Sequence, residues 1–205
     1  MPMGFWNWLA AIVTWVGAYL LGSLPIGVWM ASAYGRDLRK EGSGNIGATN
    51  AWRVLGWKVG LPVFILDVLK GTVPVLLAKA WFEDQSFTIS LTAALPAVGH
   101  VWSCFLGFRG GKGVSTCLGA LLGLNGWVAL IALVVWAGVL FVYQYVSLAS
   151  IVATVAAGFV MGMAGYHGAY IAWALFAALL TLYTHRANLK RLCRSMEPRA
   201  TVWKR

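Results

Sequence analysis

Charge is what this sequence has least of. Asp, Glu, Lys and Arg together fill 11% of its 205 positions, where an ordinary soluble domain carries about a quarter. A chain this sparingly charged cannot dress its surface for water, so a bilayer must be its solvent. Acidic residues are the scarcer kind, six against sixteen Lys and Arg, for a formal net charge of +10. In a soluble protein that excess would suggest nucleic acid. In an apolar chain it follows from basic cytoplasmic loops and anionic headgroups, so the expected partners are membrane lipids and no nucleic acid. Cysteine and histidine are also sparse. Cys104, Cys117 and Cys193 lack metal-ligand or redox spacing and are expected as free thiols. His100, His167 and His185 are followed five residues later by Phe105, Ala172 and Lys190, never by the aspartate that would orient a base acting on a hydroxyl. There is no Ser–His–acid arrangement and no His/Cys/carboxylate cluster with metal spacing. A basic region ahead of the first apolar stretch is missing too, so a first transmembrane helix is expected there in place of a cleaved signal peptide.

What the sequence has is hydrophobic length. Apolar residues make up 60% of it, and twelve tryptophans suit the headgroup boundary. A crossing helix needs roughly 20 apolar residues. Long candidates run from Phe5 to Ala33, with a kink at Gly22-Ser23-Leu24-Pro25, from Gly56 to Phe82 and from Phe87 to Phe108. Three more cover Trp127–Tyr143, Ser147–Ala164 and Gly168–Tyr183. Between them Val114–Leu124 is too short to cross unaided. Counting it as a crossing puts Arg36, Arg39, Lys40, Arg53, Lys58, Arg109, Lys112 and the basic tail on one side and Glu83 and Asp84 on the other. That asymmetry is the positive-inside pattern. The expected fold is therefore all-α, a polytopic transmembrane helix bundle of about seven spans. Its N-terminus lies outside, its C-terminus is cytoplasmic, and residues 1–205 form a single domain. Small residues recur in the later spans, where they let helices pack closely.

The polar residues gather in four places. Gly42-Ser43-Gly44-Asn45-Ile46-Gly47-Ala48-Thr49-Asn50, with Arg53 beyond, combines a permissive backbone with neutral donors and a planar guanidinium. Such a stretch forms an anion nest, aided by a helix N-terminus near Ala48, or else is a plain turning loop. Gly110-Gly111-Lys112-Gly113, just ahead of a helix at Val114, is not a Walker A loop, because Gly113 stands where Ser or Thr would hold magnesium. It still offers glycines, a mobile ammonium and a helix N-terminus, which favours phosphate over a topology-setting loop. Asp67 and Lys70 share a helix face inside an apolar span, where an ion pair that orients neighbours is the stronger reading. His185 and Asn188 share a face if the last span continues as helix, as phosphate ligands, a base, or interfacial residues. His100 reads as an interior histidine and His167 as inert in an outside turn.

Taken in order, Gly42–Asn50, Asp67-Val68-Leu69-Lys70-Gly71, Gly99-His100 through Gly110-Gly111-Lys112-Gly113-Val114, and Tyr183-Thr184-His185-Arg186-Ala187-Asn188 resemble the PlsY-type bacterial glycerol-3-phosphate acyltransferases. The resemblance spans nearly the whole chain. It departs at Thr184 and Ala187, where the family motif is often polar or charged.

The resemblance implies transfer of an acyl chain from acyl phosphate to the sn-1 hydroxyl of glycerol-3-phosphate in the bacterial inner membrane, with no metal and no acyl-carrier protein or CoA. It implies catalytic roles for Ser43, Arg53, Lys112, His185 and Asn188. Substrate binding would fall to Gly42, Gly44, Asn45, Thr49, Asn50, Gly110, Gly111 and Gly113, with Asp67, Lys70 and His100 in support. An enzyme producing acyl phosphate would act upstream. The proton of the attacking hydroxyl would go to the donor's own phosphate or to His185, the former being favoured because no histidine shows a carboxylate beside it in the sequence. The competing class is a transporter or exchanger of phosphorylated metabolites, whose site would lie near the midplane.

Overall fold

Apolar runs of the lengths above become helices because in hydrocarbon every backbone N–H and C=O must find its partner within the chain. The computed structural model describes residues 4–83 and 85–200; Asp84 lies outside them. The described residues form ten α-helices and a short 3-10 turn at Cys104–Leu106, with no strand. The chain divides into two compact units, meeting in sequence at Leu124 and Asn125.

In the first unit, α1 (Phe5–Ser23) and α2 (Ile26–Ser32) are separated at Leu24-Pro25. Pro25 has no N–H to continue the ladder and forces Leu24 out of helical geometry, which makes the expected kink, and Phe5–Ser32 remains one apolar stretch long enough to cross. Helix α3 (Ala48–Leu55) opens one residue after Gly47, as the glycine-rich stretch predicts. Helix α4 (Trp57–Phe82) contains Pro62 and Pro74, and α5 (Ser86–Val101) contains Pro96. The third apolar stretch was expected to run to Phe108, but its helix stops at Val101 and the remainder is a turn and loop. Helix α6 (Val114–Leu124) is the short segment.

Glycines set how closely these helices approach. A Cβ on Gly22 would strike the Pro96 backbone and one on Gly99 would strike the Tyr19 carbonyl, so α1 and α5 touch backbone to backbone. In the same way Gly71 lies against Thr116 and Gly119 against Val68, which brings α4 and α6 together. The Thr72 hydroxyl donates to the Gly119 carbonyl at 2.8 Å across that seam. At its end the Lys79 ammonium donates to the Gly123 and Leu124 carbonyls, both at 3.3 Å, which closes the C-terminus of α6. A buried apolar cluster of Ala31, Leu38, Ala51, Val59 and Val63 joins α2, α3 and α4 with the loop between them.

The second unit holds α7 (Gly126–Tyr143), α8 (Val146–Met163), α9 (Gly168–Thr184) and α10 (Arg186–Cys193). Asn125 caps α7 by accepting the Val128 N–H at 3.0 Å, and His167 caps α9 through Nδ1, which accepts the Ala169 N–H at 3.2 Å. The axis turns by 62° between α9 and α10. His185 and Asn188 therefore do not share the face of one continuous helix: His185 is the corner itself. Among the described residues five helical stretches are long and apolar enough to cross a membrane, and six if α9 and α10 count as one broken span.

Candidate active site

The first glycine loop is built around a side chain that faces inward. Asn50 is 2% exposed. Its Nδ2 donates to the carbonyls of Leu38 (3.1 Å), Glu41 (3.0 Å) and Asn45 (2.8 Å), while its Oδ1 accepts the Ser43 N–H at 2.8 Å and an Arg53 Nη1 hydrogen at 3.4 Å. Asn50 was expected to touch substrate. Its burial and its bonds make it the hub that folds the loop. Gly42 (φ 60°) and Gly44 (φ 73°) take left-handed conformations, and a Cβ on Gly42 would run into the Asn50 amide. Asn45 accepts the Gly47 N–H at 2.8 Å in a local turn. Ser43, Thr49 and Arg53 are left on the exposed side of the loop. Gly47 offers α3 no side-chain cap, and Arg53 stands in the last turn of that helix.

Two ion pairs brace the approach to this loop, Arg36 with Glu41 and Arg39 with Asp37. Hydrogen bonding from Arg36 holds the Glu41 carboxyl below its ordinary value, and Arg39 does the same for Asp37.

The second loop docks on the end of α5. The Gly110 N–H donates to the Val101 carbonyl and the Gly111 N–H to the His100 carbonyl, both at 2.9 Å, so two carbonyls that α5 leaves unpaired are satisfied by the turn. A Cβ on Gly110 would overlap the His100 carbonyl, and one on Gly111 would overlap the His100 ring at Nε2. These two glycines are therefore required for close approach, and Gly113 for its φ of 79° at the entry to α6. Lys112 sits among them, half-buried. Upstream, the Ser103 hydroxyl donates to the Ser23 carbonyl at 2.6 Å and the Tyr19 hydroxyl to the Trp102 carbonyl at 2.8 Å, which pins the loop to α1.

Behind both loops lies a buried charged cluster. Asp67, Lys70 and His100 are 2%, 4% and 5% exposed. Lys70 Nζ is 2.8 Å from Asp67 Oδ1, and His100 Nδ1 is 3.6 Å from the same oxygen. Lys70 also donates to the Leu24 carbonyl at the α1–α2 break, at 3.1 Å. The expected Asp67–Lys70 pair is present. The expectation that no histidine has a carboxylate beside it is corrected: α4 and α5 bring Asp67 to His100 from 33 positions away. That juxtaposition is tertiary and leaves no spacing for a sequence motif to show.

In the second unit His185 and Asn188 are buried. His185 Nδ1 lies 2.8 Å from the Thr181 carbonyl, which assigns the proton of a neutral ring to Nδ1 and the lone pair to Nε2. Asn188 Nδ2 donates to Glu197 Oε1 at 2.6 Å, Ser147 donates to the same oxygen at 2.7 Å, and Arg191 Nε donates to Oε2 at 2.8 Å. Burial pushes the Glu197 carboxyl up, but hydrogen bonds from Asn188, Ser147 and Arg191 outweigh it and hold it below its ordinary value. Sequence reasoning missed Glu197. The available signal was a lone acid in a tail that otherwise carries Arg186, Lys190, Arg191, Arg194 and Arg199.

Long apolar helices, glycine seams and buried charges define an all-α, multi-pass integral membrane protein. A model of the glycerol-3-phosphate acyltransferase family matches residues 12–195. A glycerol-3-phosphate acyltransferase of Aquifex aeolicus is 42% identical over 191 residues, which cover 93% of this chain and all of that protein. One from Thermus thermophilus is 46% identical over 191 residues, covering 93% and 95%. The crystal structure of PlsY, an integral membrane glycerol 3-phosphate acyltransferase, in its glycerol 3-phosphate form is similar with a TM-score of 0.91 at 43% identity, covering 93% and 95%. Its lysophosphatidic acid form gives 0.89 at 42% identity with the same coverage. The chain belongs to the PlsY family of glycerol-3-phosphate acyltransferases.

Proposed function

We propose that this chain transfers an acyl group from acyl phosphate to the sn-1 hydroxyl of glycerol-3-phosphate, giving lysophosphatidic acid and phosphate for phospholipid synthesis. The observation that carries this reading is the presence in one unit of two glycine loops, each with a cation, Arg53 on one and Lys112 on the other. The reaction brings together two phosphorylated substrates, one for each loop. Ser43, Arg53 and Lys112 contact the substrates, and the same role is proposed for His185 and Asn188. Gly42, Gly44, Asn45, Thr49, Gly110, Gly111 and Gly113 supply or shape the backbone around them, and Asn50 positions the first loop from within. All 205 residues act as one acyltransferase domain.

In the transfer, the sn-1 oxygen attacks the acyl carbonyl carbon, the bond from that carbon to the phosphate oxygen breaks, and the hydroxyl proton leaves with the phosphate. Acyl phosphate is a mixed anhydride with a good leaving group, so positioning and charge neutralisation supply most of what is needed. The proton acceptor is an oxygen of the donor phosphate. No step calls for a metal or another cofactor. The positive-inside pattern supports seven crossings in the inner membrane, α6 included, with the N-terminus outside and the loops facing the cytoplasm. An enzyme that makes acyl phosphate acts before it. Both glycine loops lie at helix ends rather than within a span, and the family is one of acyltransferases, so transport is not retained.

The test is phosphate release by purified protein given acyl phosphate and glycerol-3-phosphate, with acyl-CoA as the rival donor. Release with acyl phosphate alone supports the reading, and activity only with acyl-CoA overturns it. Replacing His185 by Ala separates the two acceptors. Abolished turnover with unchanged substrate binding would move the proton to His185.

A further inference from the structure

The Asp67–Lys70–His100 cluster touches neither loop's exposed side, yet it reaches both loops through the backbone. Toward the second loop, the Asp67 carboxylate faces Nδ1 of His100, the opposite edge of that ring lies against Gly111, and the His100 carbonyl holds the Gly111 N–H. The imidazole therefore sets how deeply the turn sits, and Lys112 is the next residue. Toward the first loop, Lys70 holds the Leu24 carbonyl at the break where α2 begins. Gly27 of α2 lies so close to the Ile46 carbonyl that a Cβ would collide with it, and Ile46 is the buried centre of the first loop.

Stability alone gives little reason for such a cluster. Neither contact to Asp67 Oδ1 has hydrogen-bond geometry, and His100 Nδ1 has no other partner among the described residues. A buried ion pair left this incompletely satisfied is commonly matched or bettered by apolar residues of similar size. We propose that Asp67 is a positioning residue for the acyl transfer. Paired with Lys70 and His100, it fixes the two glycine loops at one spacing, so that a group held on the first meets a group held on the second. This inference rests on the reading that each loop holds one phosphorylated substrate.

The experiment compares wild type, Asp67→Asn, the charge-balanced double variant Asp67→Asn/Lys70→Met, Gly111→Ala, and Asp67→Asn combined with Gly111→Ala. Each is measured for kcat and for KM toward both substrates by phosphate release, and for thermal midpoint with and without glycerol-3-phosphate. Misplacing a reacting group by an ångström costs about 100-fold, so Asp67→Asn is expected to lower kcat by about 10- to 100-fold. The double variant removes the uncompensated buried charge; it should regain the wild-type midpoint and stay slow. In the Gly111→Ala background Asp67→Asn should add less than about 3-fold, because both changes disturb the same turn.

Wild-type kcat in the folded double variant would overturn the proposal, as would effects that multiply in the combined variant. If wild type releases no phosphate from acyl phosphate, the functional reading falls. The loop-positioning claim is then judged on the glycerol-3-phosphate shift in midpoint, which the double variant must lose.

Discussion

Asn50 has one side-chain oxygen and one NH2 group, and the first loop engages both. Asn50→Asp keeps the shape but replaces the NH2 group by an oxygen facing the carbonyls of Leu38, Glu41 and Asn45. Leaving buried groups unpaired costs about 1–3 kcal/mol each, so this variant should lose thermal stability and raise KM for glycerol-3-phosphate more than Ser43→Ala does. Thermal unfolding and steady-state kinetics on the same preparations check it. Glu197 calls for a pH experiment. Folding lowers its pKa, so its contribution is complete above the ordinary value of 4.5 and is lost as pH falls through the lower folded value. The midpoint of wild type should therefore fall below pH 4.5 more steeply than that of Glu197→Gln, measured at fixed ionic strength. At this scale the sequence marks the residues whose type is unusual for their surroundings, such as Arg53, Lys112 and the glycines. It does not mark Asn50's inward orientation or the meeting of Asp67 with His100, because both depend on how separate helices pack.

Among the apolar helices of ten residues or more, α6 is the shortest and the least self-sufficient. It has 11 residues, and isolated helices shorter than about 12–15 residues are marginal. Its glycine seam with α4 and the Lys79 bonds at its end supply what length does not. Lys79→Met should leave the Gly123 and Leu124 carbonyls short of a donor and lower stability by about 1 kcal/mol, with kcat little changed; thermal unfolding beside steady-state kinetics checks both. Gly119→Leu should abolish assembly, since its side chain would enter the Val68 backbone, and size-exclusion chromatography in detergent reports that directly. Helix starts were readable after Gly47 and Gly113, where glycine-rich stretches meet the next helix. They were not readable at His185. There the chain stays helical on both sides of a bend, and nothing local separates a corner residue from a continuing one.

For the whole molecule, the charge pattern gives an orientation that labelling can check. Cys193 is exposed and Cys117 is buried. With Cys104 and Cys117 replaced by Ala, an impermeant maleimide should label Cys193 in inside-out vesicles and leave it unlabelled in intact spheroplasts. The opposite pattern would put the tail outside and remove the argument for α6 as a crossing. All-helical architecture and membrane residence were legible in composition, because a shortage of charge and long apolar runs constrain a chain as a whole. The division into two units was not, since it depends on which helices pack together.

The shortness of α6 also bears on the lipid around the protein. Eleven residues rise about 16 Å, roughly half of a hydrocarbon core of about 30 Å. A bilayer meeting so brief a segment thins, or surrounds it with longer neighbours. Were α6 to cross, hydrophobic mismatch would be a property of this enzyme: the membrane it makes lipid for would also be a gauge that its shortest apolar span must fit.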